Sequence, residues 1–463
     1  MASTFFGLTI AYSGLQAANT SLTITGHNVS NINTKGYTKQ QAGTQAADAL
    51  RTHTTYGAIG SGVVVTEISQ IRDSYYDVKY RNNMANYGQY SVKESYMGQI
   101  EDYLDEFTLN GYSQEYKNFF SAVNQLTITP GDTSAKNQLI NNAKSLADYF
   151  NTLTTNLRNV QADANNEIKD AVQQINSYAK NIAALNRQIN QIEANYGNAN
   201  DLRDKRNAMI DELSEIVNLE TSEEDMGNNV SNFSVRINGQ TLVSSYSYNT
   251  LETVARTDKK NYSDAEGLYD VQWNSGQKFD MYSTSLSGHL KGLIDIRDGN
   301  NGEHENIETD DNGNNVTDSD GNLVLTTAPA ADKTVSYKGV PYYQAQLNEF
   351  AKIFSDAVNK IMKSGYTSDG SSKGISLFVT QPNTTVMSAG NITVNPELLK
   401  NADLLAIKKE QNDGESDAKI MEELNKLQSE KIFAGGTGSY FLESIVSDMS
   451  IDSQKAVNLY KNY

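Results

Sequence analysis

The chain has 463 residues, of which 38% are hydrophobic and 20% charged, with a formal net charge of −18. That length leaves room for several domains. The acidity argues against nucleic acid, which is bound through a basic face. With no cysteine there is no disulfide framework, no thiolate nucleophile and no Cys-ligated metal. Low apolar content beside long helical patterns predicts elongated shapes with thin cores.

Between Met1 and Thr34 there is no Asp, Glu, Lys or Arg. Leu8, Leu15, Leu22 and Val29 recur every seven residues, and Ala11, Ala18, Thr25 and Ile32 follow the same interval offset by three. This is an a/d seam sustained over about four heptads. Its outer face carries Ser, Thr, Asn and Gln where a solvated helix carries Glu and Lys. Gly7, Gly14 and Gly26 each disfavour the helix by about 1 kcal/mol relative to Ala. Such a helix is marginal alone and is expected to need partners on more than one side. Burying its seam returns roughly 1.5–3 kcal/mol per side chain, as an upper bound. Polar residues interrupt the stretch too often for a transmembrane span. A secretory signal would need a basic n-region, a continuous apolar core and a cleavage site, and none is present. The expectation is an inter-subunit or inter-terminal coiled coil built on Leu8, Ala11, Leu15, Ala18, Leu22, Val29 and Ile32; an ordinary core helix is the alternative.

Asn, Gly and Thr between Ser30 and Thr38 stop this helix. The pattern then loosens to Thr66, with a short extended run over Gly60–Ile68. A second helical region opens near Ile71 and runs to about Asn218, with breaks near Asn110-Gly111 and Thr129–Asp132. Inside it, apolar residues from Leu139 to Ile192 alternate by four and three with one stutter at Val160, Ala164 and Ile168. An unbroken helix over that span would be about 80 Å long. From Leu219 the period changes, and Phe233–Val243 alternates around Asn238-Gly239, a strong hairpin signal. Helix returns over Leu286–Arg297 and Gln346–Lys363, a strand is expected at Asn391–Val394, and Tyr440–Tyr463 closes the chain as a helix. Asp298–Gly339 is polar, acidic and rich in Asn and Gly; it reads as a dispensable surface insertion with at most a hairpin around Asp318–Thr326.

Chemistry is sparse. The four histidines, His27, His53, His289 and His304, show no metal-ligand spacing. His304–Glu308 starts like a zincin helix and lacks the second His. Asp318–Asn322 resembles a calcium loop, but the required Gly position holds Leu323 and no Glu closes it. Gly436-Thr437-Gly438 lacks the third Gly of a dinucleotide turn. Gly370-Ser371-Ser372-Lys373-Gly374 spells a nucleophile elbow without the preceding buried strand. Carboxylate pairs such as Glu223-Glu224 are surface solvation. No catalytic residue, cofactor site or metal site is expected, and an enzyme is not.

Ser13-Gly14-Leu15 and Thr25–Gln40, which contains Asn28, Asn31, Asn33, Thr34, Gly36 and Tyr37, resemble the N-terminal signature of bacterial flagellar axial proteins. Within that family the opening Ser3–Leu8 and Thr25-Gly26-His27-Asn28 resemble most closely the hook-associated protein 1 branch, the first hook–filament junction proteins. Gly62-Val63, Arg72-Asp73, Asn200-Asp201-Leu202 with Asp204 and Arg206, Gly292-Leu293, Arg297-Asp298 and Thr393–Pro396 follow in the family's order. The resemblance implies a secreted structural subunit, exported unfolded through the flagellar type III apparatus. It implies a ring of copies of the chain on the hook protein, receiving the second hook-associated junction protein, with an export chaperone as a further partner and neither membrane nor nucleic acid. It also implies that the N-terminal helix pairs with a C-terminal one. Hook or distal rod protein is the alternative within the family, and an adhesin or glycan-degrading enzyme the alternative outside it.

Two features depart from the family. About forty residues separate Arg297-Asp298 from Pro341-Tyr342, and the closing C-terminal helix with its preceding Val-Ser-Gly-Val segment is missing. Tyr440–Tyr463 ends without a capping signal and carries charges that match the uncharged N-terminal helix poorly. The expectation is therefore a truncated chain whose N-terminal seam is poorly packed, with few long-range contacts before Asn31. The expected fold is mainly α with a β-rich inserted domain: a coiled-coil segment at 1–38, a helical rod at 39–218 plus 340–463, a β-rich domain at 219–297 and the acidic insertion at 298–339.

Overall fold

The computed structural model describes residues 5–51, 57–109, 112–302, 306–307, 316, 325–326, 335–382, 384, 386–414 and 416–463. In chain order the elements are α1 (Phe6–Ser30), β1 (Gln40–Ala46), β2 (Leu50–Arg51), β3 (Ala58–Ile59), β4 (Val63–Gln70), α2 (Ser74–Leu109), α3 (Tyr112–Ile128), α4 (Thr133–Glu193) and α5 (Asn200–Ile216). There follow β5 (Glu220–Asp225), β6 (Ser231–Ile237), β7 (Gln240–Ser244), β8 (Ser247–Tyr248), β9 (Leu251–Ala255), β10 (Tyr269–Trp273), α6 (His289–Asp298), β11 (Asn306–Ile307) and β12 (Leu325–Thr326). The last are α7 (Val340–Ser364), β13 (Tyr366–Thr367), β14 (Phe378–Thr380), β15 (Ile392–Val394), α8 (Pro396–Lys400), β16 (Ala406–Lys408), α9 (Lys419–Lys426) and α10 (Gly438–Asn462). The chain is mainly α with small antiparallel sheets, as its periodicities predict. Among the described residues no helix is long and apolar enough to cross a membrane.

The first compact unit comprises residues 1–88, 171–252 and 271–288. Its sheet runs β5-β6-β7-β8, all antiparallel. The predicted hairpin is there: Asn238 and Gly239 both take positive φ, 50° and 76°, which a two-residue primed turn requires. Phe233, Val235, Ile237, Leu242 and Val243 are buried, as are Ile175, Ile182 and Ile189 of α4. Asparagines of α4 serve the sheet's backbone: Asn186 donates to Ser245 O (2.8 Å), and Asn190 donates to Ser231 O (2.7 Å) while accepting from Ser231 N (3.0 Å). These amides are not a solvated face; they satisfy backbone groups that would otherwise be orphaned.

The loosened stretch after Thr38 is a two-stranded antiparallel ribbon, β1 against β4, with a bulge at Gly43/Thr44. Gln40–Ala46 has no apolar alternation, so a period-2 signal could not reveal it. Its backbone pairing makes it a strand.

The second unit comprises residues 89–170, 253–270 and 289–463. Its core is aromatic: Phe350 stacks on Phe433 (ring centroids 5.0 Å), Phe433 on Phe441 (4.7 Å), and Phe119, Phe120 and Phe354 meet edge to face. Leu139, Leu146, Leu157, Ala164 and Ile168 of the α4 seam are buried here. α7 begins at Val340, earlier than its periodicity indicates, because Pro341 occupies the first turn, where its missing N–H costs nothing. α10 packs on α7, with Leu442, Ile445, Met449 and Ala456 buried. Gly292 is there because a Cβ would lie 2.7 Å from Gln89 O. Asp298, Asn300 and Val335 are buried, so both roots of the 298–339 stretch belong to packed structure. Within its interior the described residues are β11 and β12, paired with each other, and Val316. Asp318–Asn322 and His304 lie outside the described residues, as does His53.

Candidate functional site

α1 carries two stripes. Phe6, Ile10, Ser13, Ala17, Thr20, Ile24 and Asn28, at spacings of four and three, are buried or half-buried. Helix geometry places this stripe about 140° around from the heptad seam. It lies on the ribbon of β1 and β4, so α1 is not the loosely attached segment expected before Asn31. Close approach is built in by Gly62, whose φ is +113° and whose Cβ, if present, would stand 2.2 Å from Ser13 Oγ. Val63 N donates to that hydroxyl at 3.2 Å.

The exit of α1 is a knot of hydrogen bonds. Asn31 Nδ2 donates to His27 O (3.0 Å), Thr34 N to Asn31 O (2.9 Å) and Tyr37 N to Thr34 O (3.1 Å). Gly36 sits at φ +80°, with a Cβ position 3.0 Å from Ala208 Cβ. The chain folds back so that Tyr37 Oη donates to Asn28 Oδ1 (2.7 Å). The Asn28 amide also takes Gln40 N (2.9 Å) and donates to Gln40 O (2.9 Å), pairing with Gln40 as a strand neighbour would. His27 meets Tyr37 edge-on, Nδ1 3.0 Å from Oη.

α5 receives this knot. Thr38 N donates to Asp204 Oδ2 (3.0 Å), Gln40 Nε2 to Asp201 Oδ1 (3.3 Å), and Lys35 pairs with Glu212 (3.0 Å). Asn200 Nδ2 donates to Ile68 O (2.8 Å), while the Asn200 backbone carbonyl accepts from Gln70 Nε2 (2.9 Å). Arg72 bonds Asp77 (2.6 Å), and Arg81 bonds Asp211 (2.8 Å). Burial and the carboxylates of Asp201 and Asp204 push the Tyr37 phenol up, so it stays a donor to Asn28. The motif residues Asn28, Asn31, Thr34, Gly36 and Tyr37 therefore come together with Asn200, Asp201 and Asp204, while Gly62 meets α1 further along, at Ser13; Asn33 is exposed.

The other stripe is open. Leu8, Leu15, Leu22, Val29 and Ile32 are 65% to 78% exposed, and Ala11 and Ala18 are exposed with them. Sequence reasoning found this strip by its leucines and missed the inner one, whose apolar Phe6, Ile10 and Ile24 are interleaved with Ser13, Ala17 and Thr20. The inner signal was present in the seven-residue spacing of Ile10, Ala17 and Ile24. A row of leucines without any Asp, Glu, Lys or Arg can carry contact but not acid–base chemistry.

An anchored helix offering an uncharged apolar strip, on a mainly α chain with small antiparallel sheets, defines a class: a structural subunit of an assembly. A family model described as the flagellar hook-associated protein FlgK helical domain matches residues 97–378, and the chain belongs to that family. It is 27% identical over 390 residues to flagellar hook-associated protein 1 of Bacillus subtilis, covering 81% of this chain and 70% of that protein. It is 33% identical over 219 residues to the protein of the same name from Salmonella typhimurium, covering 47% of this chain and 39% of that one. The flagellar hook junction protein FlgK from Burkholderia pseudomallei shares the fold, with a TM-score of 0.64 at 14% identity over 83% of this chain and 97% of that chain.

Proposed function

We propose that this chain is a structural subunit of the junction between flagellar hook and filament, exported by the type III system and assembled as a ring. Its partners in this reading are the hook protein, the second hook-associated protein, further copies of itself and an export chaperone; it works outside the cell, as a scaffold and not as an enzyme. One observation carries the reading: Leu8, Leu15 and Leu22 stand exposed on a helix whose opposite face is clamped. An apolar strip of this size is buried in a working assembly, and a heptad seam is matched by another helix. Family membership supports the same role.

The test is a deletion strain complemented with the wild-type gene or with Leu15→Asp. Deletion should leave hooks intact while filament monomers escape into the medium, and the variant should be exported yet fail to restore filaments. Loss of the hooks themselves would overturn the junction role in favour of hook or distal rod protein. Full motility with Leu15→Asp would overturn the contact role of the strip.

A further inference from the structure

Beside the anchor, within the first unit, lies an open cleft of about 720 Å³ whose lining includes Arg72, Arg81, Arg203 and Arg206. Four carboxylates bond these guanidiniums. Glu223 bonds Arg203 (2.9 Å) and Arg206 (3.2 Å), Glu193 bonds Arg203 (2.7 Å), and Asp77 and Asp211 hold Arg72 and Arg81. The charges balance, but the hydrogen bonds do not. Arg81 and Arg206 are 6% and 2% exposed, and Arg81 Nη2 and Arg206 Nε are buried without a partner.

A buried N–H left unpaired carries its full desolvation cost, and two on guanidiniums that line one cleft create a demand for acceptors there. We propose that this cleft is an oxyanion site, in which a carboxylate or phosphate group accepts from Arg81 Nη2 and Arg206 Nε. A neutral acceptor would supply the hydrogen bonds without charge; an oxyanion adds charge beside Arg206, whose one bonded carboxylate, Glu223, is shared with Arg203. Burial outweighs the pull of Glu223 and lowers the Arg206 guanidinium to about 10, the direction expected of a cation short of compensation. Ser74 and Tyr75, in the first turn of α2, line the same cleft, and that end of a helix favours negative charge. The Arg206 guanidinium is fixed by the Phe233 ring, 3.8 Å from the centroid, and by Asn186 (3.1 Å). It is therefore held in place for a ligand, and folding does not require one.

The two sources of such a group are a free phosphate and the carboxylate of an acidic side chain. Arginine Nε–H resonances of the whole chain would be followed while inorganic phosphate or acetate is added at constant ionic strength, with sodium chloride as control. Saturable movement of the Arg206 Nε–H and a rise in Tm with either anion, absent with chloride, are expected. A response to phosphate alone assigns a free phosphate, and a response to both assigns the carboxylate class. Arg81→Lys keeps the charge while removing Nη2, and should weaken binding about tenfold or more. No movement of the Arg206 signal at tens of millimolar, or the same movement with chloride, would overturn the proposal. The wild-type spectrum decides even if the variant unfolds.

Discussion

Tyr37 and Asn28 close the exit of the first helix: the phenol donates to Asn28 Oδ1 at 2.7 Å, and the same oxygen takes the backbone N–H of Gln40 at 2.9 Å. Both donors depend on one acceptor, so Asn28→Ala should cost more than Tyr37→Phe. We expect about 1–3 kcal/mol for the first, from orphaned buried groups, and about 1 kcal/mol for the second. Hydrogen exchange over residues 8–30 would measure it; equal protection in wild type and Asn28→Ala would show that the amide does not hold α1.

Gly62→Ala tests the inner stripe. The new Cβ meets Ser13 Oγ, and the positive φ of 113° disfavours any side chain. α1 should lift from β4, with faster exchange and easier proteolysis before Asn31. Adding Ser13→Ala removes the nearest obstruction and should restore part of the loss, leaving the backbone strain. Full restoration would locate the whole cost in the clash.

How much of this was legible can be said residue by residue. Asn238-Gly239 announced its hairpin because turn chemistry is local, and the α4 seam announced its helix because many turns repeat one pattern. The exit motif was recognisable as text, yet its purpose was not. Asn28 works with Gln40, Asn200 with Ile68 and Gln70, and Thr38 with Asp204, and none of these pairs leaves a periodic trace. Polar amides that complete backbone pairing look in sequence like solvent-facing residues. The β1 strand was hidden for the same reason: Gln40–Ala46 is held by hydrogen bonds and by α1, without an apolar face.

A pH dependence follows from Asp298, which Arg256 (2.7 Å) and Arg297 (2.6 Å) enclose in the second unit. Burial alone would push its carboxyl up; the two guanidiniums outweigh burial and hold it well below the ordinary carboxylate range. A depressed folded value contributes stability above the unfolded pKa of about 4, lost as the pH falls through the folded one. Arg256→Gln should cost about 3 kcal/mol at pH 7 by leaving a buried carboxylate under-compensated. In acid Asp298 of the variant takes up a proton first, so the gap to wild type should narrow below about pH 4. A gap in urea midpoints that stays constant from pH 7 to pH 3 would count against this account.

The 298–339 stretch is not uniform. Asn300 Oδ1 accepts from Val335 N (3.0 Å), Asn300 Nδ2 donates to Asn261 Oδ1 (3.1 Å), and Asn301 N donates to Val335 O (2.9 Å). Its roots are therefore joined. Replacing 303–334 with a two-residue turn should shift Tm by only a few degrees, since long surface excursions cost little entropy. Removing 298–339 entirely takes Asp298 and Asn300 with it and should abolish cooperative unfolding of the second unit. Calorimetry on the two deletions separates them, and equal behaviour would refute the distinction.

The sharpest contrast lies two residues apart on α1. Leu22 is 74% exposed and Ile24 is 8% exposed. Ile24→Asp places an unpaired charge between the helix and the ribbon, where it is strongly disfavoured. α1 should then loosen in the isolated chain, seen as lost protection before Asn31. Leu22→Asp adds a charge to an open face, so the isolated chain should keep its unfolding midpoint within about 0.5 kcal/mol. In the assembled flagellum the order reverses in kind. The Leu22 variant, well folded and exported, should fail to support filaments, because the charge would be buried against a neighbouring helix. If Leu22→Asp lowers the stability of the monomer as much as Ile24→Asp, the strip is part of this chain's own core. If it leaves both monomer and filaments intact, no partner covers that face.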